Sequence, residues 1–387
     1  MVTSQVSQKG ELNVKRTIRL TVSLLAALAL AGFAFAQDDA EAEEPVVPET
    51  NEVAAASDID VGALRRTAEA LFNPIPLEVP DLEGNPYSDE KEVLGRSLWF
   101  DTRLSASWVI SCNTCHNVGT AGVDLRTGSI GHGWQQGGRN SPTVLNAVFN
   151  IAQFWDGRAE DLAAQAMGPI QDSIEMNNTP ERAVETLQSM PGYVDMFTAA
   201  FPEEDDPVTF ENVALAIEVF EATLLTPNSR FDQFLRGDDS ALDSQEIEGL
   251  HLFVTEGCVA CHMGTNLGGH GYFPFGLAEL PDADILPRDD IGRYGITNVE
   301  SDRYAFKSPS LRNIELTPPY FHSGVIWDLE DAVRIMARAQ LGSDLDDGDV
   351  TSITAFLRTL TGDQPEVTVP VLPAITAATP LPISMDD

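Results

Sequence analysis

The chain has 387 residues, a hydrophobic fraction of 43% and a formal net charge of −37, with 60 acidic side chains against 23 lysines and arginines. Such a charge excludes a nucleic-acid binder: the field repels anions and draws basic partners over a range that salt shortens. A generally acidic surface suited to a saline habitat explains the charge equally well, and the length suffices for two domains with ordinary cores.

Residues 1–36 read as a secretory signal peptide. Lys15, Arg16 and Arg19 precede an apolar run over 20–33, and Ala34-Phe35-Ala36 has the small-x-small form of a cleavage site. The run is short for a membrane span, and no later segment could cross a membrane. The expectation is export to the periplasm, with an uncleaved anchor as the alternative. Residues 37–58, rich in Asp, Glu, Ala, Val and Pro, read as an acidic disordered linker.

Apolar residues then recur at helical spacing over 61–72, 90–100, 159–167, 180–189, 210–225, 244–256, 329–341 and 350–360. Thr179 before Pro180 suits an N-cap and first helical position, Asp243 with Glu246 resembles a capping box, and Gly257 and Gly342 sit where helices end. Strand signals are scarce. The predicted fold is mainly α: two cytochrome c-like helical domains with long loops, over 59–225 and 226–363. The proline-bearing segment 364–387 is either a frayed tail or an extended strap packed back on the first domain.

The chemistry is concentrated in Cys112-Asn113-Thr114-Cys115-His116 and Cys258-Val259-Ala260-Cys261-His262, which together use all four cysteines and form the one internal repeat visible in the sequence. Cys-x-x-Cys-His is the attachment pattern of c-type haem, in which two thiols bond the porphyrin vinyl groups and the histidine takes one axial position on iron. A thioredoxin-like pair does not need the following histidine, and a four-cysteine zinc site would leave both histidines unexplained. Two covalent haems, one per domain, are expected.

A second axial ligand for each iron is sought among His132, His251, His270, His322 and the methionines. His132 lies in Gly131-His132-Gly133-Trp134 soon after His116, and the flanking glycines would let the loop withdraw it; the alternative is a solvent-facing loop histidine. For the second haem, Met336 within the predicted helix 329–341 is a candidate, although a buried methionine is ordinarily core. Met263 follows His262 too closely, and His251, His270 and His322 stay open.

The order of these motifs resembles the bacterial dihaem cytochrome c peroxidases from about Asn73 to Leu372. The resemblance is carried by Leu104-Ser105, Gly131-His132-Gly133-Trp134, Asn140-Ser141-Pro142-Thr143, Gln153-Phe154-Trp155-Asp156-Gly157-Arg158, Gly168-Pro169-Ile170, Lys307-Ser308-Pro309-Ser310-Leu311-Arg312-Asn313 and Pro319-Tyr320-Phe321-His322. It implies a peroxidatic first haem held by His116 and a removable His132, and a high-potential second haem held by His262 and Met336. It further implies Trp155 between the haems, Gln165 and Glu175 as polar groups of the peroxide pocket, and a calcium ion held by Asn140, Thr317 and Pro319. A carboxylate such as Glu175 can accept one proton of hydrogen peroxide and return it to the departing oxygen.

The implied function is reduction of hydrogen peroxide to water with electrons from a small periplasmic cytochrome c or copper protein, by a homodimer. One rival is a dihaem oxidase that acts on protein side chains; its second haem carries a tyrosine where this chain has Met336. The other is a non-enzymatic dihaem electron carrier, which gives no reason for Glu175 and Gln165 beside a glycine-flanked histidine.

Overall fold

A computed structural model describes residues 59–385. The expected signal peptide and acidic linker lie outside the described residues. Helices α1 (Val61–Leu71), α2 (Asp89–Phe100), α3 (Cys112–Cys115), α4 (Leu162–Gln171), α5 (Pro180–Gln188), α6 (Pro191–Ala200) and α7 (Phe210–Ala222) form the first part. They are followed by α8 (Arg230–Leu235), α9 (Ser244–Thr255), α10 (Tyr294–Thr297), α11 (Leu329–Met336) and α12 (Asp347–Arg358). The strands β1 (Tyr272–Pro274) and β2 (Ala305–Lys307) pair antiparallel with Phe273 opposite Phe306.

The acidic composition is partly spent on starting helices. Asp60, Asp161, Asp243, Asp328 and Asp346 each accept a hydrogen bond from a first-turn backbone N–H, as do Ser88, Thr179 and Thr209. A carboxylate there satisfies an orphan donor and opposes the positive end of the helix dipole. These caps also explain where the predicted bounds shift. The helix expected over 159–167 is α4, because Asp161 caps it, and that expected over 350–360 is α12, because Asp346 starts it earlier. The helix expected over 329–341 divides: α11 ends at Met336 and a π-helical turn, Ala337–Leu341, continues to the left-handed Gly342. α8, of six residues, is too short for periodicity to reveal it, and α6 escapes the sequence reading because no side chain caps its start at Met190.

Two large hydrophobic clusters form. One holds Leu94, Leu98, Trp99, Ile170, Tyr193, Phe197, Ile217 and Phe220; the other holds Phe231, Phe234, Leu250, Phe253, Ile353 and Phe356. The expectation that 59–225 makes one domain is corrected for its first element. Leu64, Ala68 and Phe72 of the α1 region belong to the second cluster, where Phe72 packs edge-on against Phe231 at 5.4 Å. The apolar face of α1 is buried there, and sequence proximity does not decide which core covers it.

The repeat extends far beyond the pentads. A Cβ on Gly95 would lie 1.9 Å from the Ala216 carbonyl oxygen, and one on Gly249 would lie 1.8 Å from that of Ser352. Both glycines thus allow backbone-to-backbone crossings, α2 on α7 and α9 on α12. One turn later Trp99 packs on Phe220 (5.6 Å) and on His116 (6.3 Å), just as Phe253 packs on Phe356 (5.3 Å) and on His262 (6.5 Å). Ser141-Pro142 and Asn146 recur as Ser308-Pro309 and Asn313, with both asparagines left-handed at φ 59°. The bridges Gln153–Ala159 and Tyr320–Ile326 also correspond, as do the caps Asp161 and Asp328. The halves exchange bonds reciprocally: the Asn140 N–H donates to the His322 carbonyl and the Lys307 N–H to the Trp155 carbonyl, each at 2.8 Å.

The C-terminal segment runs back over the first cluster. Arg103 donates to the Pro373 carbonyl, the Thr376 hydroxyl to the Ser189 carbonyl, and the Ile383 N–H to the Ala106 carbonyl. These contacts belong to the strap alternative rather than the frayed one.

Candidate active site: two unequal cavities

Each pentad opens onto a cavity, of about 370 Å³ at the first and about 230 Å³ at the second. Both are far larger than the space of a single buried water. The first is walled by Cys112, Cys115, His116, Trp99, Phe154, Trp155, Gln165, Pro169, Glu175 and Glu221, among others. The second is walled by Cys258, Cys261, His262, Met336 and a largely aliphatic and aromatic set including Phe253, Phe275, Leu329, Ile353 and Leu357.

The residues fit a haem in each. All four thiols are free of disulfide, and burial raises the pKa of each. Burial lowers the pKa of His116 and takes that of His262 to about 4, so both rings are neutral, as an iron ligand must be. His262 Nδ1 lies 2.9 Å from the Leu267 carbonyl. A carbonyl only accepts, so Nδ1 carries the proton and Nε2 keeps the lone pair for a metal.

The repeat explains why the cavities differ. The same count from the caps Asp161 and Asp328 reaches Pro169 in α4 and Met336 in α11. Met336 brings a thioether, a group that can ligate iron, into the wall of the second cavity; Pro169 lines the first and has no ligating side-chain atom. A second exchange lies on α7 and α12. The residue after Phe220 is Glu221, and the residue after Phe356 is Leu357, each in its cavity wall. Glu221 is 2% exposed with Oε2 unpartnered among the described residues, and burial takes its pKa up to about 8.

Glu175 and Gln165 come together in the first cavity. Burial raises the Glu175 pKa, the neighbouring Asp172 carboxylate adds to this, and Arg158 opposes it. Arg158 is itself held flat over the Phe154 ring at 3.4 Å and paired with Asp156 at 3.1 Å. His132 is 4% exposed and buried beside this cavity rather than in its wall. Its N–H donates to the Glu175 carbonyl at 2.8 Å, while both ring nitrogens lack partners among the described residues. Gly131 is required here: its Cβ would lie 2.1 Å from the Ile174 carbonyl oxygen. The His132 loop and the Glu175 backbone are therefore in direct contact.

Trp155 lines both cavities; its Nε1–H donates to the Asn140 carbonyl at 2.8 Å and its ring meets His322 edge-on at 6.2 Å. Asn140, Thr317 and Pro319 share the wall of the second cavity. Asn140 Nδ2 donates to the Arg126 carbonyl at 2.7 Å, so the amide oxygen is the atom left for a cation. No group of three or more His, Cys, Asp or Glu suited to a metal occurs among the described residues, so a calcium site here would rest on amide and carbonyl oxygens. Reasoning from sequence missed Glu221 and Lys307, which the register of the repeat would have flagged as polar exceptions.

A helical frame with two unequal cavities, each beside a Cys-x-x-Cys-His pentad, has the features of a dihaem protein. The family model described as di-haem cytochrome c peroxidase matches residues 89–240. The cytochrome c551 peroxidase of Pseudomonas aeruginosa is 58% identical, over 83% of this chain and 92% of that protein. The cytochrome c551 peroxidase of Nitrosomonas europaea is 46% identical, over 83% and 95% respectively. A solved MauG-like protein associated with microbial copper homeostasis superposes with a TM-score of 0.66 at 29% identity, over 74% of this chain and 95% of its own. The chain belongs to the dihaem cytochrome c peroxidase family.

Proposed function

We propose that the protein reduces hydrogen peroxide to water with two electrons taken singly from a small redox protein, a cytochrome c or a copper protein. The observation that carries this is the inequality of the cavities: Pro169 offers no ligating side chain to the first, where its counterpart Met336 offers a thioether to the second. The haem bound in each, attached through Cys112 and Cys115 or Cys258 and Cys261, supplies the iron and the electron-accepting ring on which O–O cleavage depends.

The chain's own residues do the rest. Glu175 would take the proton of the peroxide oxygen nearer the iron and deliver it to the departing oxygen, and burial, which raises its pKa, makes it a better proton carrier than an exposed carboxylate. Gln165 orients the peroxide by hydrogen bonding. His132 would ligate the iron of the first haem or be withdrawn from it as its glycine-flanked loop moves, and that movement would also shift the Glu175 backbone it touches. His262 and Met336 would both ligate the iron of the second haem, where electrons would enter, and Trp155, which lines both cavities, would couple the two sites. A calcium ion on Asn140, Thr317 and Pro319 would hold the join between the cavities. Domains over 59–225, with α1 docked on the other core, and 226–363, a periplasmic location after loss of residues 1–36, and a homodimer complete the reading.

The test is steady-state peroxide consumption with a reduced cytochrome c, comparing fully oxidised with pre-reduced enzyme. Consumption that is faster after pre-reduction supports a removable His132. A protein that carries both haems yet consumes no peroxide in either state overturns the reading.

A further inference from the structure

Two cationic side chains are buried among the described residues, Arg312 and Lys307. They stand at the two ends of one motif and are treated oppositely. Arg312 is fully engaged: Nη1 pairs with Asp232 at 2.8 Å, Nε donates to the Thr265 carbonyl and Nη2 to the Asn73 carbonyl, each at 2.9 Å. Lys307, 6% exposed, has no carboxylate, carbonyl or aromatic partner for its Nζ among the described residues. Its backbone is held firmly, by the β2 pairing with Tyr272 and by the N–H bond to the Trp155 carbonyl. The neighbouring Ser308 Oγ is buried and unpartnered too. Both residues line the second cavity, whose wall is otherwise mostly apolar.

Burying a lone ammonium in an apolar wall is costly unless an anion meets it, and here the desolvation is unrelieved, taking the Lys307 pKa down to about 8. Nothing among the described residues supplies that anion. The repeat shows that the position does not itself demand a cation. Its counterpart in the first half is Asn140, a neutral residue whose amide is satisfied by the Arg126 carbonyl at 2.7 Å. A cavity wall that presents two orphaned donors, one of them charged, is built for an acceptor carried by what enters the cavity. A haem carries two such groups, the propionate carboxylates.

We propose that Lys307 is the counter-cation of a propionate of the haem in the second cavity, with the Ser308 hydroxyl donating beside it, and that this charge raises the potential of that haem. The inference rests on the reading that the second cavity holds a haem. A positive charge fixed near the ring favours the reduced, more electron-rich state, so it acts in the same direction as the Met336 thioether.

The experiment uses the holoprotein and its Lys307→Met and Lys307→Arg variants, with haem content measured by pyridine haemochrome and the second-haem midpoint by spectroscopic redox titration. Lys307→Met should lower the second-haem midpoint more than the first, whereas Lys307→Arg should keep it close to the native value. Loss of the second haem in the Met variant alone would support the same charge requirement. A Met variant with two haems and a native midpoint overturns the proposal, and so does equal loss of haem in both variants, because the side chain's shape would then be what matters. A native protein with one haem would instead overturn the underlying reading.

Discussion

The two cavities are framed by the same pieces: a glycine-mediated helix crossing, an aromatic residue against the pentad histidine, a Ser-Pro turn and an aspartate-capped helix. They differ at a few side chains on that frame. Where the second half has Met336, Leu357 and a wall of aliphatic and aromatic groups, the first has Pro169, Glu221, Gln165 and Glu175. One frame thus carries two linings; under the proposed function the carboxyl-bearing one would be the site for chemistry and the thioether-bearing one the site for electron entry.

The comparison breaks most visibly at Glu175. Glu175→Gln keeps the shape and removes the proton acceptor, so kcat for peroxide should fall by about 10²–10⁴-fold. Both haems should remain bound, as measured by absorption spectra. Full turnover in this variant would remove the main chemical distinction between the cavities.

The shared frame can be tested for equivalence at its crossings. Gly95→Ala and Gly249→Ala each force a methyl into a backbone carbonyl, at 1.9 and 1.8 Å in the undistorted frame. Each should cost about 1–3 kcal/mol or more by overpacking, read as a lower urea midpoint. A neutral result at one glycine alone would show that the two crossings are not energetic equals.

A pH-dependent effect distinguishes Glu221 from Leu357. The Glu221 carboxyl has its pKa raised from 4.5 to about 8 by burial, with Glu218 adding to it. The folded state therefore holds a proton that the unfolded state releases. Its contribution is complete below the ordinary glutamate pKa and is lost as pH rises toward about 8, by up to about 1.4 kcal/mol per pH unit. Replacing Glu221 by Gln should flatten the fall in holoprotein stability between pH 5 and 8, measured by urea unfolding. An unchanged slope would mean that the carboxyl is already ionised when folded.

Much of this was legible in the linear chain because it is local. The pentads carry their chemistry within five residues, the aspartate and threonine caps mark helix starts, and the resemblance singled out Met336, Glu175, Gln165 and Trp155, which the fold gathers at the two cavities. What escaped was non-local. The first-half and second-half frames match residue for residue only in short stretches, because β1, β2 and α10 are inserted between the second pentad and its Ser-Pro turn. α1 lies next to the first half in sequence yet packs on the second, since a short amphipathic helix carries no label for the core that will cover it.

The sequence by itself carried the two Cys-x-x-Cys-His pentads, the resemblance to a dihaem family and the helical character of the chain, because motif spacing and capping act over a few residues. Tertiary structure alone decided that Pro169 and Met336 are counterparts, that Glu221 and Lys307 are buried without counter-charges among the described residues, and that the His132 loop rests on Glu175. Burial and register arise from contacts between segments far apart in the chain, and it is burial that turns an ordinary glutamate or lysine into a group whose charge matters to what binds beside it.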